Sequence, residues 1–215
     1  MASIYSIYAR WQPKFRAARM RRFRDAFGPT EATTVLDVGG NYYDWEPLVV
    51  ACRFTILNID AIPTGWEMPP NFRYVVGDGC ALAEADGAYD IAYSNSVIEH
   101  LTTWEAQERF AKELRRVGRG VYVQTPNRWF PIEPHFLALF LHWLPRSMHR
   151  FLFRWFSVRG WLRRGDNVNL DTLVGELRLL SYGEMKRLFP DCEIRREKWL
   201  GLTKSFTAVR LRASE

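Results

Sequence analysis

Five apolar runs of strand length, over residues 33–38, 54–60, 72–76, 89–94 and 120–125, alternate with polar or helical stretches, and this rhythm is the βαβ signature of a parallel sheet. Between the fourth and fifth runs, Thr102 and Glu105 fit a capping box, after which Phe110, Leu114 and Val117 fall on one helical face. After Pro126 the rhythm stops for some forty residues rich in Trp, Phe, Leu and Arg. Helix returns over 181–189, opened by a Ser-x-x-Glu cap and closed by a proline. Two last strand-like runs, 192–200 and 204–212, flank a turn at Gly201 and suggest an antiparallel hairpin on one edge of the sheet. The expected fold is α/β: a doubly wound, mostly parallel, seven-stranded sheet with a C-terminal antiparallel hairpin and a helical insertion after strand five. A chain of 215 residues with 47% hydrophobic composition suffices for one core and is short for two, so a single domain over 1–215 is expected. Residues 1–30 would form an N-terminal helical cover, and residues 131–175 the insertion on the acceptor side.

In an open parallel sheet, ligands bind beyond the carboxyl ends of the strands. Here those ends carry Asp37 to Asn41, Asp60 with Ala61, Asp78 with Gly79, and Ser94 with Asn95. The first strand breaks into Gly39 and Gly40 without the third glycine that a pyrophosphate loop places a few residues on. Three strand-end aspartates would also repel a pyrophosphate, whereas they suit a ligand with a cationic centre, a ribose diol and an exocyclic amine. S-adenosylmethionine has all three. Gly39 and Gly40 then permit close backbone approach, with Asn41 as a polar contact. Asp60, 23 positions after Asp37, has the spacing of a ribose-binding carboxylate, and Asp78 beside Gly79 can accept the adenine amine. The alternative for each residue alone is structural: Asp37 as a turn cap, Asp60 as a solvated strand end, Asp78 as an ordinary turn residue.

Taken in order, VLDVGGN, NIDA, GDG, YDIAYSNSVIEHL and TPNRWFP resemble the class I S-adenosylmethionine-dependent methyltransferases, in particular the small-molecule group related to ubiquinone-biosynthesis methyltransferases. The resemblance runs from about Thr33 to Pro131 and implies a Rossmann-like sheet, S-adenosylmethionine as cofactor with S-adenosylhomocysteine as product, and no metal. Asn41 stands where that family usually has glycine, a departure that bears on affinity more than on cofactor identity.

The sulfonium is an activated leaving group, so the protein must chiefly align a nucleophile with the methyl carbon and exclude water; an oxygen nucleophile also needs a base. The fourth strand ends SNSV, without the Asn/Asp-Pro-Pro-aromatic motif of amide and exocyclic-amine methyltransferases, and no Pro-Cys follows it, which disfavours covalent cytosine methylation. His135 is the first candidate base, with Glu133 to orient or activate it and prolines on both sides of Glu133 to stiffen the segment. His100, paired with Glu99, competes, although the resemblance places that pair at the opening of a helix, where it packs and caps. The expected function is O-methylation of a small-molecule, glycan or lipid-linked acceptor. The alternatives are a cofactor-binding protein of the same fold without catalysis, a dinucleotide binder, and an RNA methyltransferase. Nucleic acid is disfavoured as a partner because no RNA-binding module or base-stacking motif is recognisable.

Net charge is +6, with arginines gathered over 10–24 and 146–164 and interleaved with aromatics. Such runs suit a solvated face, an anionic membrane surface, an anionic substrate or nucleic acid. FLALFLHWL is stopped by Pro145 and is far shorter than the roughly 20 residues a membrane span requires. The following RSMHRFLFRWFSVR spaces Arg146, Arg150 and Arg154 four apart, which fits a helix lying in a membrane interface or a lid packed over the acceptor pocket. Both imply an apolar acceptor environment. The N-terminus meets Arg10, Pro13 and Lys14 before any apolar core develops, so a cytoplasmic protein, peripheral at the inner face of the membrane in the interfacial case, is expected. Cys52, Cys80 and Cys192 have neither paired spacing nor a histidine pattern, so no disulfide framework or zinc site is expected.

Overall fold

The computed structural model describes residues 4–40, 45, 52–62, 65, 68–133, 138–139 and 177–212. Helix α1 (Ile4–Phe27) leads into strands β1 (Thr34–Val38), β2 (Arg53–Asn58), β3 (Phe72–Val76) and β4 (Tyr89–Asn95). A 3-10 turn (Ile98–His100), α2 (Trp104–Val117) and β5 (Gly118–Pro126) follow, then the two-residue strands β6 (Ile132–Glu133) and β7 (Ala138–Leu139). Helix α3 (Tyr182–Leu188), β8 (Glu193–Trp199) and β9 (Leu202–Arg210) complete the chain. One seven-stranded sheet runs β3-β2-β1-β4-β5-β9-β8, with β1 to β5 mutually parallel and β9 antiparallel to both neighbours.

The expected hairpin is present, and its second strand lies inside the sheet. β9 pairs with β5, and β8 takes the edge. The reason is burial: β9 reads Lys204 to Val209 as a fully buried run, while β8 alternates and suits a position with one neighbour. The turn residues Leu200 and Gly201 both have positive φ, 49° and 82°, as a two-residue primed turn requires.

Both faces of the sheet are covered. Residues Leu36, Val38, Ala92, Val121, Val123 and Ala208 pack under α2 and α3, whose buried side chains include Phe110, Leu114, Val117, Met185 and Leu188. The helix stripe is as expected, and Ser181 with Glu184 forms the capping box expected for α3. The cap of α2 differs by one position: Thr103, not Thr102, accepts from the Ala106 amide, because Thr103 has the extended backbone an N-cap needs.

The opposite face is covered by α1. Met20, Phe23 and Phe27 are buried against Val35, Phe54, Ile91, Tyr93, Tyr122 and Val209. Tyr93 and Tyr122 stack with ring centroids 5.5 Å apart, and Phe23 meets both edge-on. The second half of the N-terminal segment is therefore core. The expected insertion over 131–175 lies mostly outside the described residues; its described start is the antiparallel pair β6–β7, with Ile132 opposite Leu139 and Glu133 opposite Ala138. No helix among the described residues is long and apolar enough to cross a membrane.

Candidate active site at the carboxyl ends of the strands

Parallel alignment of β1 to β5 brings the loops after Val38, Asn58, Val76, Asn95 and Pro126 to one edge of the sheet. Gly39 turns the chain at φ 75°, and its amide donates to the Leu57 carbonyl at 2.7 Å. The Asn58 side-chain amide donates in turn to the Gly40 carbonyl at 2.9 Å, so the glycine turn is fastened to the end of β2. A Cβ on Gly39 would lie 2.5 Å from a Val97 methyl, and one on Gly40 only 1.7 Å from Asp37 Oδ2. Neighbouring atoms thus demand the two glycines.

Asp37 is 1% exposed, and its Oδ2 accepts from Trp45 Nε1 at 2.7 Å. The structure therefore places this carboxylate beneath the turn, supporting it, with Trp45 packed among Phe23, Phe54 and Tyr93. Asp60 and Asp78, by contrast, are exposed at the ends of β2 and β3, as is Ala61. The Asp60 carbonyl accepts from Tyr74 Oη, which fixes its backbone and leaves the carboxylate to project from the edge. Asp78 Oδ1 accepts from the Cys80 amide at 2.8 Å, an Asx turn that holds Gly79 half-buried behind it. Burial, with Asp78 adding repulsion, pushes the Cys80 thiol up to about 11, so it stays protonated at neutral pH and is a poor nucleophile. Ile59, Ile62 and Val76 are exposed beside the two acids. The parallel β2–β3 pairing, which ends at Asn58 opposite Val76, brings the two strand ends that carry these residues side by side.

Ser94 is fully buried and donates to the Val38 carbonyl at 2.9 Å, which ties β4 to β1 and commits its hydroxyl hydrogen. Asn95 Oδ1 accepts from Arg19 Nη1 at 3.1 Å. The Glu99–His100 pair divides: His100 is exposed at the end of the 3-10 turn, and Glu99 is buried with Oε2 accepting from Thr125 Oγ1 at 3.0 Å. Glu133 lies in β6; its side chain, like Asn41 and His135, is outside the described residues.

Sequence reasoning missed the polar group on the α1 side of this edge. Arg19, Gln124, Ser96, Glu197, Lys204 and Ser205 join α1, the turn after β4, β5, β8 and β9. Glu197 accepts from Arg19 at 3.0 Å, Arg22 at 3.1 Å and Ser205 at 2.8 Å, and it lies 3.5 Å from the Lys204 ammonium. Burial works against the Glu197 charge, yet Arg19 and Lys204 outweigh it and hold the carboxyl below the ordinary glutamate range. Burial, reinforced by Arg19, lowers Lys204 to about 8 despite the pull of Glu197. Part of the basic run over 10–24 is thus neutralised inside the fold. A buried glutamine in the apolar run GVYVQT and a glutamate in a strand were the available signals.

A family model described as a methyltransferase domain matches residues 10–173. The ubiquinone biosynthesis O-methyltransferase of Rhizobium etli (strain CIAT 652) is 30% identical over 164 residues, which are 64% of this chain and 64% of that protein. The protein of the same description from Brucella anthropi is 26% identical over 148 residues, covering 62% and 58%. The chain thus spans less than two thirds of the length of these relatives. Among solved structures, a SAM-dependent methyltransferase from Aquifex aeolicus is similar with a TM-score of 0.52 at 13% identity, over 97% of this chain and 98% of that one, a likeness of fold. With the family model matched over most of its length and the strand order found here, the chain belongs to the methyltransferase domain family.

Proposed function

We propose that the protein is an S-adenosylmethionine-dependent O-methyltransferase acting on a small-molecule acceptor that is at least partly apolar. The observation that supports this most is the edge at the ends of β2 and β3, where Asp60 with Ile59 and Ile62 follows β2 and Asp78 follows β3, all of them exposed. Its chemistry fits the cofactor: carboxylates for a ribose diol and an adenine amine, and apolar side chains for a purine face. Asp60 would hold the ribose, Asp78 and the Gly79 backbone the adenine, and the Gly39–Gly40 turn with Asn41 and Asn95 the amino-acid portion, with Asp37 supporting that turn from below. Bound there, S-adenosylmethionine supplies an electrophilic methyl carbon. The chain's own part is to position the acceptor, exclude water and take up its proton.

Asp60→Ala and Asp78→Ala should each weaken S-adenosylmethionine binding by about 1.5 to 3 kcal/mol, the worth of a hydrogen bond to a charged group. Equilibrium dialysis with labelled cofactor reads this directly, and two variants with unchanged affinity would remove both residues from the site.

For the proton, His135 with Glu133 remains the first choice, and His100 is the second. The exposure of His100 suits either proton transfer or a simple surface position. His135→Ala should keep cofactor affinity while lowering turnover by about a hundredfold; full activity at neutral pH would exclude His135 as base. The ubiquinone-related relatives point to phenolic acceptors, and the apolar insertion to lipid-linked ones. Methyl transfer to a panel of phenols, sugars and lipid-linked saccharides distinguishes them. Whether the insertion is a membrane-interface helix or a lid is tested by sedimentation with anionic liposomes: no binding at low salt leaves the lid.

A further inference from the structure

Arg19 comes from the N-terminal helix, far from the strand-end motifs in sequence, yet it reaches the carboxyl ends of the two central strands. Its Nη1 donates to Asn95 Oδ1 at 3.1 Å and to Gln124 Oε1 at 3.1 Å. Its Nε and Nη2 donate to Glu197 Oε2 at 3.3 Å and 3.0 Å. One planar fork, anchored on a buried carboxylate, thus fastens side chains of β4 and β5 together. Lysine has no such fork.

The chain of contacts continues to the cofactor loop. Gln124 Oε1 also accepts from Ser96 Oγ at 2.9 Å, and the Ser96 amide donates to the Gln124 carbonyl at 3.0 Å. These bonds hold Ser96 at φ 58°, a left-handed conformation that a serine does not favour unaided. The next residue, Val97, is the one whose methyls close over Gly39. Because Arg19 and Ser96 both donate to the oxygen of Gln124, the amide cannot flip without setting its NH2 against the guanidinium. Its Nε2, buried and without a hydrogen-bond partner among the described residues, then has its direction set by Arg19.

We propose that Arg19 is a positioning residue for methyl transfer, fixing the Asn95–Val97 turn against the Gly39–Gly40 loop through Asn95 and Gln124. The N-terminal helix is then an integral part of the catalytic body rather than a removable cover. This inference rests on the S-adenosylmethionine reading of the site.

The test is calorimetric titration of the full chain with S-adenosylhomocysteine, together with melting temperature, for the wild type, Arg19→Lys, Arg19→Gln and Asp191→Asn. Asp191 pairs with Arg115 and Arg210 and serves as a control for lost ion pairing. Arg19→Lys keeps a cation beside Glu197 and should fold; the expected result is affinity lowered about tenfold, while Asp191→Asn melts earlier and binds as the wild type does. If both Arg19 variants bind like the wild type, Arg19 is structural only and the proposal falls. If the wild type itself fails to bind, the cofactor reading fails first.

Discussion

Replacing Glu197 by alanine is expected to destabilise the fold by about 3 to 5 kcal/mol, the range for removing one partner of a buried ion pair. Glu197 is 4% exposed and answers Arg19, Arg22 and Lys204 at once, so its loss removes the carboxylate shared by two largely buried cations, Arg19 and Lys204. Thermal unfolding should show a fall of roughly 10 °C for a chain of this size. Glu197→Gln keeps the shape and removes only the charge, which makes the effect depend on pH in a defined direction. The folded carboxyl is held below the ordinary range. As pH falls, the unfolded chain therefore takes up the proton first, and the stabilisation is lost through the folded value. The advantage of the wild type over Glu197→Gln should be full above the ordinary glutamate pKa of about 4.3 and shrink below it. A difference unchanged at lower pH would mean that Glu197 acts by shape alone.

Gly40→Ala is expected to be the second large effect. The added carbon would stand 1.7 Å from Asp37 Oδ2 and 2.1 Å from its Cγ. That carboxylate has no easy retreat: it is buried, bonded to Trp45 Nε1, and Trp45 is wedged 4.5 Å from Phe54 and 4.6 Å from Tyr93 by ring centroids. Relief requires moving the glycine turn or the aromatic cluster, at about 1 to 3 kcal/mol for an overpacked core. Because the turn is the proposed cofactor cradle, affinity for S-adenosylhomocysteine should fall with stability, by about tenfold or more. An alanine variant that melts and binds like the wild type would show that the turn relaxes freely and that Gly40 is dispensable.

The strands around the glycine turn were legible because they depend on local signals. Strands β1 to β4 are apolar runs ended by Gly, Asp or Asn, β5 is one ended by Pro126, and α3 announces itself through Ser181 and Glu184. The α2 boundary slipped by one residue because Thr102 and Thr103 offer equal capping chemistry, and only backbone conformation chooses Thr103. Strand-end position alone also could not separate an acid that projects from one that supports. Asp37 points to the α1 face together with Val35 and meets Trp45, whereas Asp60 lies past the end of β2, in the open. The Arg19–Glu197 pair joins residues 178 apart, so a glutamate within a strand signals a buried charge while nothing near it names Arg19 as its partner. A basic helix that docks on its own sheet and one that docks on a membrane share the same pattern of arginines and aromatics.

Whether the strand-end edge holds S-adenosylmethionine is decided by titrating the unmodified protein with S-adenosylhomocysteine and, in parallel, with NAD. One-to-one binding of S-adenosylhomocysteine and none of NAD is expected, since the exposed Asp60 and Asp78 carboxylates at the edge oppose a pyrophosphate. Binding of NAD without binding of S-adenosylhomocysteine would contradict it.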